Sequence, residues 1–180
     1  MEAVIFDTET TGKNDPTLIE AAWLSVEQIE PLITGESFCQ RYKPEKSIEL
    51  GALAVHHILD EELVNCFPAE TFNLPEGIKY IVGHSIDYDW VVVGSPNIKR
   101  ICTLALARKI WPNIDAYSQS ALLYYLDREN AKEILKNAHS AEADVKICAK
   151  ILSEICKKLN VKTIESLWDL SEEARIPSFM

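Results

Sequence analysis

The chain has 180 residues, 47% hydrophobic and 26% charged, which fits one globular domain with a sizeable core. No run approaches the ~18 apolar residues of a membrane span, and five cysteines without a C-x-x-C pair argue against a disulfide framework or a structural zinc site and for buried thiols in a reducing cytosol. The net charge of −10 is opposite to that of a basic nucleic-acid binder, so a polyanionic substrate would need local neutralisation by divalent metal on clustered carboxylates.

Met1-Glu2 leads directly into the first strand without a basic leader, so no secretory signal is expected. Residues 2–6 read as an apolar strand, followed at once by Asp7, Thr8 and Glu9. Segments 17–28 and 36–42 read as two more strands, joined by turn-like stretches into an antiparallel meander that ends at Pro44. G-A-L-A-V-H-H-I reads as a short helix, and L-D-E-E-L-V-N-C-F as a second, N-capped at Asp60 or nearby. Residues 79–83 return to strand, a short helix follows at about 86–92, and residues 98–102 form another strand. L-A-L-A-R-K-I-W reads as a helix stopped before Pro112. Helices are predicted over 118–126, 129–137 and 140–159, with a last one from Thr163. This order gives an α/β class: a mixed central sheet, antiparallel over its first three strands and flanked by helices. Asn160-Val161-Lys162 is the weakest point, separating a domain over residues 1–160 from a helical tail over 161–180.

Residues i and i+2 of a strand share a face, so Asp7 and Glu9 project together from the end of the first strand. Like charges held this close destabilise one another unless a cation sits between them. Taken alone, the pair fits equally well two solvated acids beyond a strand's end. The helix from Ser140 decides more. Its apolar stripe runs Ile147, Cys148, Ile151, Leu152, Ile155 and Leu159, and one turn back from Cys148 lies Asp144. A carboxylate on that stripe must be paired or coordinate a metal. A first-turn acid complementing the helix dipole is the plainer alternative, and the position on the stripe favours a functional role. His139 precedes Ser140, a natural N-cap, and from that loop an imidazole could accept a proton from an attacking water. A third acidic locus, G-H-S-I-D-Y-D-W, follows the strand Y-I-V-G and offers Asp87 and Asp89.

Together, F-D-T-E-T-T-G, G-H-S-I-D-Y-D-W and H-S-A-E-A-D resemble, in order and spacing, the three motifs of the DEDDh 3′–5′ exonucleases. That family includes exonuclease X, RNase T and the proofreading subunit of bacterial DNA polymerase III. In its second motif the acid lies five residues after a histidine and follows an aromatic; counting from His84 selects Asp89, preceded by Tyr88, over Asp87. The third motif, H-x-x-x-x-D, is matched by His139 and Asp144. V-H-H-I-L-D-E-E-L is similar to the family's H-G-I-T segment, with His56 matching, and I-C-T-L-A-L-A-R-K-I-W-P resembles exonuclease X and its relatives. The resemblance covers about residues 1–158.

The resemblance implies a ribonuclease-H-like three-layer fold and two Mg²⁺ or Mn²⁺ ions. Asp7, Glu9 and Asp144 would hold metal directly, Asp89 directly or through water, with His139 as general base and Thr10 and His56 contacting substrate. The expected reaction is hydrolysis from the 3′ ends of DNA, single-stranded or frayed, releasing nucleoside 5′-monophosphates in DNA repair in the cytoplasm. An exoribonuclease using the same site stands beside it. So does a proofreading-type subunit docking on a polymerase through Ile164, Leu167, Trp168 and Leu170, residues that could equally pack on their own domain. The expected partner is nucleic acid with a 3′ end, DNA ahead of RNA, and no membrane; a homodimer or a polymerase partner is left open.

Basic groups that could add affinity are Arg41 with Lys43, Lys99 with Arg100, Arg108 with Lys109, and Lys132 with Lys136. Lys13 stands where many relatives carry a leucine that wedges between terminal bases, a departure that counts against opening of duplex ends. The ending E-E-A-R-I-P-S-F-M resembles a point at which some relatives continue into a further segment.

Overall fold

The structure, a computed structural model, describes residues 1–176; residues 177–180, the end of the expected tail, lie outside them. The meander forms as expected. Strand β1 (Ala3–Thr10) pairs antiparallel with β2 (Leu18–Gln28), which pairs antiparallel with β3 (Ile33–Lys43). Two later strands, β5 (Tyr80–Gly83) and β6 (Lys99–Cys102), add in parallel on the other side of β1. With a two-residue edge strand, β4 (Phe67–Pro68), parallel to β3, the sheet has six strands in the order β4-β3-β2-β1-β5-β6.

β1 is central, and both its faces are covered, which is why its first residues are apolar without alternation. Ala3 and Ile5 face a core shared with Ile147, Cys148, Ile151, Leu152 and Ile155 of helix α7 (Ala141–Leu159). Val4 and Phe6 face a second core with Ile81, Ile86 and the ring of Phe72. Helices α4 (Thr103–Ile110), α5 (Gln119–Leu126), α6 (Arg128–Ile134) and α8 (Ile164–Arg175) join the α7 side, while α3 (Asp87–Val92) joins the other. The result is three layers, helix on sheet on helix.

Two local expectations change. The helix expected over L-D-E-E-L-V-N-C-F is only α2 (Asp60–Leu63), following α1 (Leu50–His56). Leu63 is buried with Ile19, Ile48 and Ile58, but Val64 and Phe67 face solvent, so no second apolar turn exists to bury. Asp60 is the first helical residue and not the cap; its carboxylate accepts a hydrogen bond from the Ile48 N–H at 3.2 Å. After α2 the chain enters β4 (Phe67–Pro68), which pairs in parallel with Tyr42 and Lys43 and is too short to show a period.

α8 packs on the same domain. Leu167 is fully buried, Ile164, Trp168 and Leu170 pack partly buried against the main core, and the Ser171 hydroxyl accepts from Cys102 N–H at 2.9 Å. Of the two roles open to these apolar residues, the structure realises the inward one. Among the described residues no helix is long and apolar enough to cross a membrane.

Candidate active site

β1 continues past Phe6 to Thr10, so Asp7 and Glu9 stand within the strand and not beyond it. The antiparallel partner β2 carries it there, with Asp7 opposite Ala22 and Glu9 opposite Glu20. On its other side β5 pairs only with Ala3, Val4 and Ile5. β1 therefore overhangs the carboxyl end of its parallel neighbour, the position at which open α/β sheets form a crevice. β5 turns away there at Gly83, where a Cβ would lie 2.8 Å from Phe6 O and 2.7 Å from Ile86 Cδ1, so only glycine permits the approach.

Three segments converge on the overhang. From α3, the buried Asp89 places Oδ1 2.9 Å from Thr8 N and 2.6 Å from Thr8 Oγ1, accepting from both. Asp87, two residues earlier, points away, exposed and ion-paired to Arg100 at 2.7 Å and Arg175 at 2.6 Å. From α7 comes Asp144, one turn into a helix whose first turn is capped by Ser140 Oγ accepting from Ala143 N–H. Asp144 Oδ1 accepts from the backbone N–H of His139 at 3.2 Å, and His139 has φ +70°, the left-handed bend that turns the chain into α7. Carboxylate oxygens of Asp7, Glu9 and Asp144 all lie within 4.8 Å of one another.

This crowding is electrostatically unfavourable. The Asp7 carboxyl is pushed well above the ordinary aspartate range by burial first, then by Asp89, Asp144, Glu9 and Glu20. Burial, then Asp144, Glu20 and Asp89, push Glu9 up to about 8. Burial raises Asp89 to about 7 even though its bonds from Thr8 act the other way. Asp144 is raised by burial and eased by the His139 N–H. Crowded hard anionic oxygens are the donor set that Mg²⁺ or Mn²⁺ takes, and Asp7, Glu9 and Asp144, with Asp89 close enough to act on the first two, fit such ions.

His139 is exposed and shares with Asp144 a cavity of about 570 Å³ whose wall includes His84, Ser85, Arg108 and Tyr117. The wall is fixed by His84, whose Nε2–H donates to Tyr117 O at 2.6 Å while Nδ1 lies 3.0 Å from Thr103 Oγ1. Burial holds the His84 pKa below its ordinary value. On the opposite wall, His56 Nε2–H donates to Thr10 O at 3.2 Å and its Nδ1 accepts from Ile58 N–H at 3.0 Å. Thr10 Oγ1 lies 2.7 Å from the Tyr88 hydroxyl, which donates to Gly12 O at 3.0 Å. Both ring nitrogens of His56 and the hydroxyl proton of Thr10 are thus engaged within the protein, and donation from either side chain to substrate requires one of these bonds to exchange.

Glu20 was not among the residues singled out from sequence. It faces Glu9 across β1 and β2 and Arg41 across β2 and β3, so the three form one row over three strands. Glu20 is 4% exposed; Oε2 accepts from Arg41 Nε at 3.1 Å, and Oε1 accepts from the N–H of Ala141, the first residue of α7, at 2.9 Å. Arg41 also donates to Glu62 Oε1 at 2.8 Å. Glu20 therefore fixes the helix carrying Asp144 against the strand carrying Asp7 and Glu9. Its only signal in the sequence was an acid inside the apolar run L-I-E-A-A-W-L. Glu20→Ala is expected to lower unfolding free energy in urea by about 1–3 kcal/mol, as for loss of hydrogen bonds to a charged group. Glu20→Gln, which keeps an acceptor for Ala141 N–H, should lose less; equal loss would mean that the helix anchor is unimportant.

Comparison with known proteins gives a consistent picture. The profile of the exonuclease family (RNase_T) matches residues 4–152. DNA polymerase III subunit epsilon of Salmonella typhimurium is 30% identical over 173 residues, covering 82% of this chain and 68% of the relative. Exodeoxyribonuclease 10 of Escherichia coli is 33% identical over 120 residues, covering 66% of this chain and 52% of the relative. Among solved structures, exonuclease X in complex with 5′-overhanging duplex DNA matches with a TM-score of 0.78 and 27% identity, covering 94% of this chain and 99% of that one. Exonuclease I of E. coli with a dA16 oligonucleotide shares the fold, with a TM-score of 0.68 at 18% identity over 93% of this chain and 42% of that one.

Proposed function

Since the chain belongs to the exonuclease family, we propose that it is a metal-dependent 3′–5′ exodeoxyribonuclease of DNA repair, acting on single-stranded or frayed ends. The observation that carries this reading is the convergence of Asp7, Glu9 and Asp144 oxygens within 4.8 Å at the overhanging end of β1. DNA is favoured because exonuclease X is known with duplex DNA and exonuclease I with an oligodeoxynucleotide, and because exodeoxyribonuclease 10 is among the relatives. The five free cysteines suit a reducing compartment and support a cytoplasmic setting.

In this reading Asp7, Glu9, Asp89 and Asp144 hold two Mg²⁺ or Mn²⁺ ions, which supply Lewis-acid stabilisation of the charge that builds on the phosphodiester. Four carboxylates against two dications leave the site near neutrality, so a phosphate can approach despite the chain's charge of −10. The reaction is hydrolysis. A water oxygen bonds to phosphorus, the bond from phosphorus to the 3′ oxygen of the penultimate nucleotide breaks, and a nucleoside 5′-monophosphate leaves. His139, on its loop beside Asp144, accepts the water's proton; Asp144 orients that loop through the His139 N–H. The catalytic unit spans residues 1–160, with α8 packed on it.

Single-stranded DNA labelled at its 5′ end tests the proposal. With Mg²⁺ or Mn²⁺ a ladder of progressively shorter labelled products is expected; with EDTA, or with His139→Ala protein, the substrate should persist. Shortening that survives EDTA would remove the metal from the mechanism, and faster digestion of a matched RNA would reassign the substrate.

A further inference from the structure

We propose that Arg108 binds a phosphate of the substrate strand on the 5′ side of the scissile bond, and that the groove beyond Arg108 carries the rest of the strand away from the site. The inference deepens the exonuclease reading and rests on it.

The basic candidates separate once their neighbours are known. Arg41 is bonded to Glu20 and Glu62, Lys109 to Glu173 at 3.2 Å, and Lys136 to Glu133 at 2.5 Å. Arg100 is bonded to Asp87 with its guanidinium carbon 3.9 Å from the centroid of Trp90, and Lys99 Nζ lies 3.8 Å from the centroid of the Trp168 ring. Arg108, Lys43, Lys99 and Lys132 have no carboxylate partner within 4.0 Å among the described residues. Of these four, Arg108 alone lines the cavity that holds His139 and Asp144.

Arg108 also marks where that cavity continues. A second cavity, about 740 Å³, lies along α4 and shares Ser85, Leu104 and Arg108 with the first. Its acids are neutralised within the protein: Asp87 is paired with Arg100 and Arg175, and Glu173 with Lys109. Among the described residues the passage between the cavities is thus crossed by one guanidinium without an ion pair, with Asp115 on the wall of the first cavity beyond 4.0 Å from it. Its carbon lies 5.8 Å from the centroid of the Tyr117 ring, on the wall that His84 holds in place. A guanidinium offers a planar fork of donors suited to a phosphate's non-bridging oxygens. A strand whose 3′ nucleotide is in the site can leave only toward its 5′ end, and this paired groove offers a path without net repulsion.

The test compares wild type, Arg108→Ala and Arg108→Lys on two substrates: a single-stranded DNA 12-mer, and the p-nitrophenyl ester of thymidine 5′-monophosphate, which has no strand to bind. Arg108→Ala should raise KM for the 12-mer about tenfold, as for a lost hydrogen bond to a charged group, with kcat unchanged. Its plot of log binding constant against log salt should be shallower by about 0.7, the contribution of one single-strand phosphate contact. Hydrolysis of the ester should be unaffected, and Arg108→Lys should restore the salt slope. An equal loss on both substrates, or an unchanged salt slope, would overturn the proposal. Should wild type cleave neither substrate, the exonuclease reading falls, and the salt slope of 12-mer binding measured by fluorescence anisotropy still decides for or against Arg108.

Discussion

Asp7→Asn protein is expected to degrade end-labelled single-stranded DNA at least ~10³-fold more slowly than wild type, a loss of roughly 4 kcal/mol of transition-state stabilisation, and yet to melt at a higher temperature when both are metal-free at pH 8. The two effects share one cause. Asp7 is desolvated in β1 and faces Asp89, Asp144, Glu9 and Glu20, all of which disfavour its charge. At pH 8 the cation-free fold must hold either that charge or a proton that the unfolded chain has released, and either one destabilises it. Asparagine keeps the shape and removes the charge, so the strain is relieved; each 1 kcal/mol recovered raises Tm by about 2–4 °C for a domain of this size. The same change replaces one of the three anionic donors, clustered with Glu9 and Asp144, by a neutral amide oxygen that holds a dication far more weakly. A residue kept only for stability would do the opposite: its loss would lower Tm and leave hydrolysis nearly intact. Wild-type rates from Asp7→Asn, or a fall in its metal-free Tm, would show that Asp7 is not part of a metal-holding set.

The fold was largely legible because its determinants are periodic. The apolar run at Val4, Ile5 and Phe6, the strands at β2 and β3 and the stripe along α7 each bury a face with the spacing the sequence displays. β1 reads as ending at Phe6 because Asp7 and Glu9 interrupt the apolar signal, whereas pairing with β2 carries the strand on to Thr10. Asp144 could be found because it violates a stripe. Glu20 could not, because the groups that make it significant, Arg41 and Ala141, lie 21 and 121 residues away and meet it only through the sheet and the α7 entry. The basic pairs show the same limit. Arg108 and Lys109 are equivalent in a sequence; the distant Glu173 neutralises one and leaves the other facing the cavity beside Asp144. Asp89 and Asp87 are separated in the sequence only by the motif spacing from His84; the physical difference lies in what surrounds them, buried Thr8 for the first and two arginines for the second.

Metal should therefore act on stability as well as on rate, and the effect should depend on pH with a definite sign. In the unfolded chain Asp7, Glu9 and Asp89 lose their protons near the ordinary values of 3.8 and 4.5. In the folded chain Glu9 holds its proton up to about 8 and Asp89 up to about 7, with Asp7 raised well above its ordinary value. Between those limits the folded state binds more protons than the unfolded state, so unfolding free energy falls as pH rises, and the fall from Glu9 and Asp89 ends above about 8. Buried His56 and half-buried His84, with lowered pKa values, act in the opposite direction, an effect that fades above their ordinary 6.5, so the carboxylates dominate the window from 6.5 to 8 increasingly toward its upper end. There the Tm of metal-free protein should decline with pH. Mg²⁺ or Mn²⁺ binds the deprotonated cluster, so its stabilisation should be small at pH 6.5, where protons compete, and larger at pH 8. At 100 times Kd it reaches about 2.7 kcal/mol, or roughly 5–11 °C in Tm. Calorimetric scans in EDTA and in each metal at three pH values within the window measure both trends. Asp7→Asn should flatten the metal-free decline and abolish most of the metal increment. A metal-free Tm that rises across the window, or an increment equal at both ends of it, would mean that these carboxylates hold neither the protons nor the cations assigned to them.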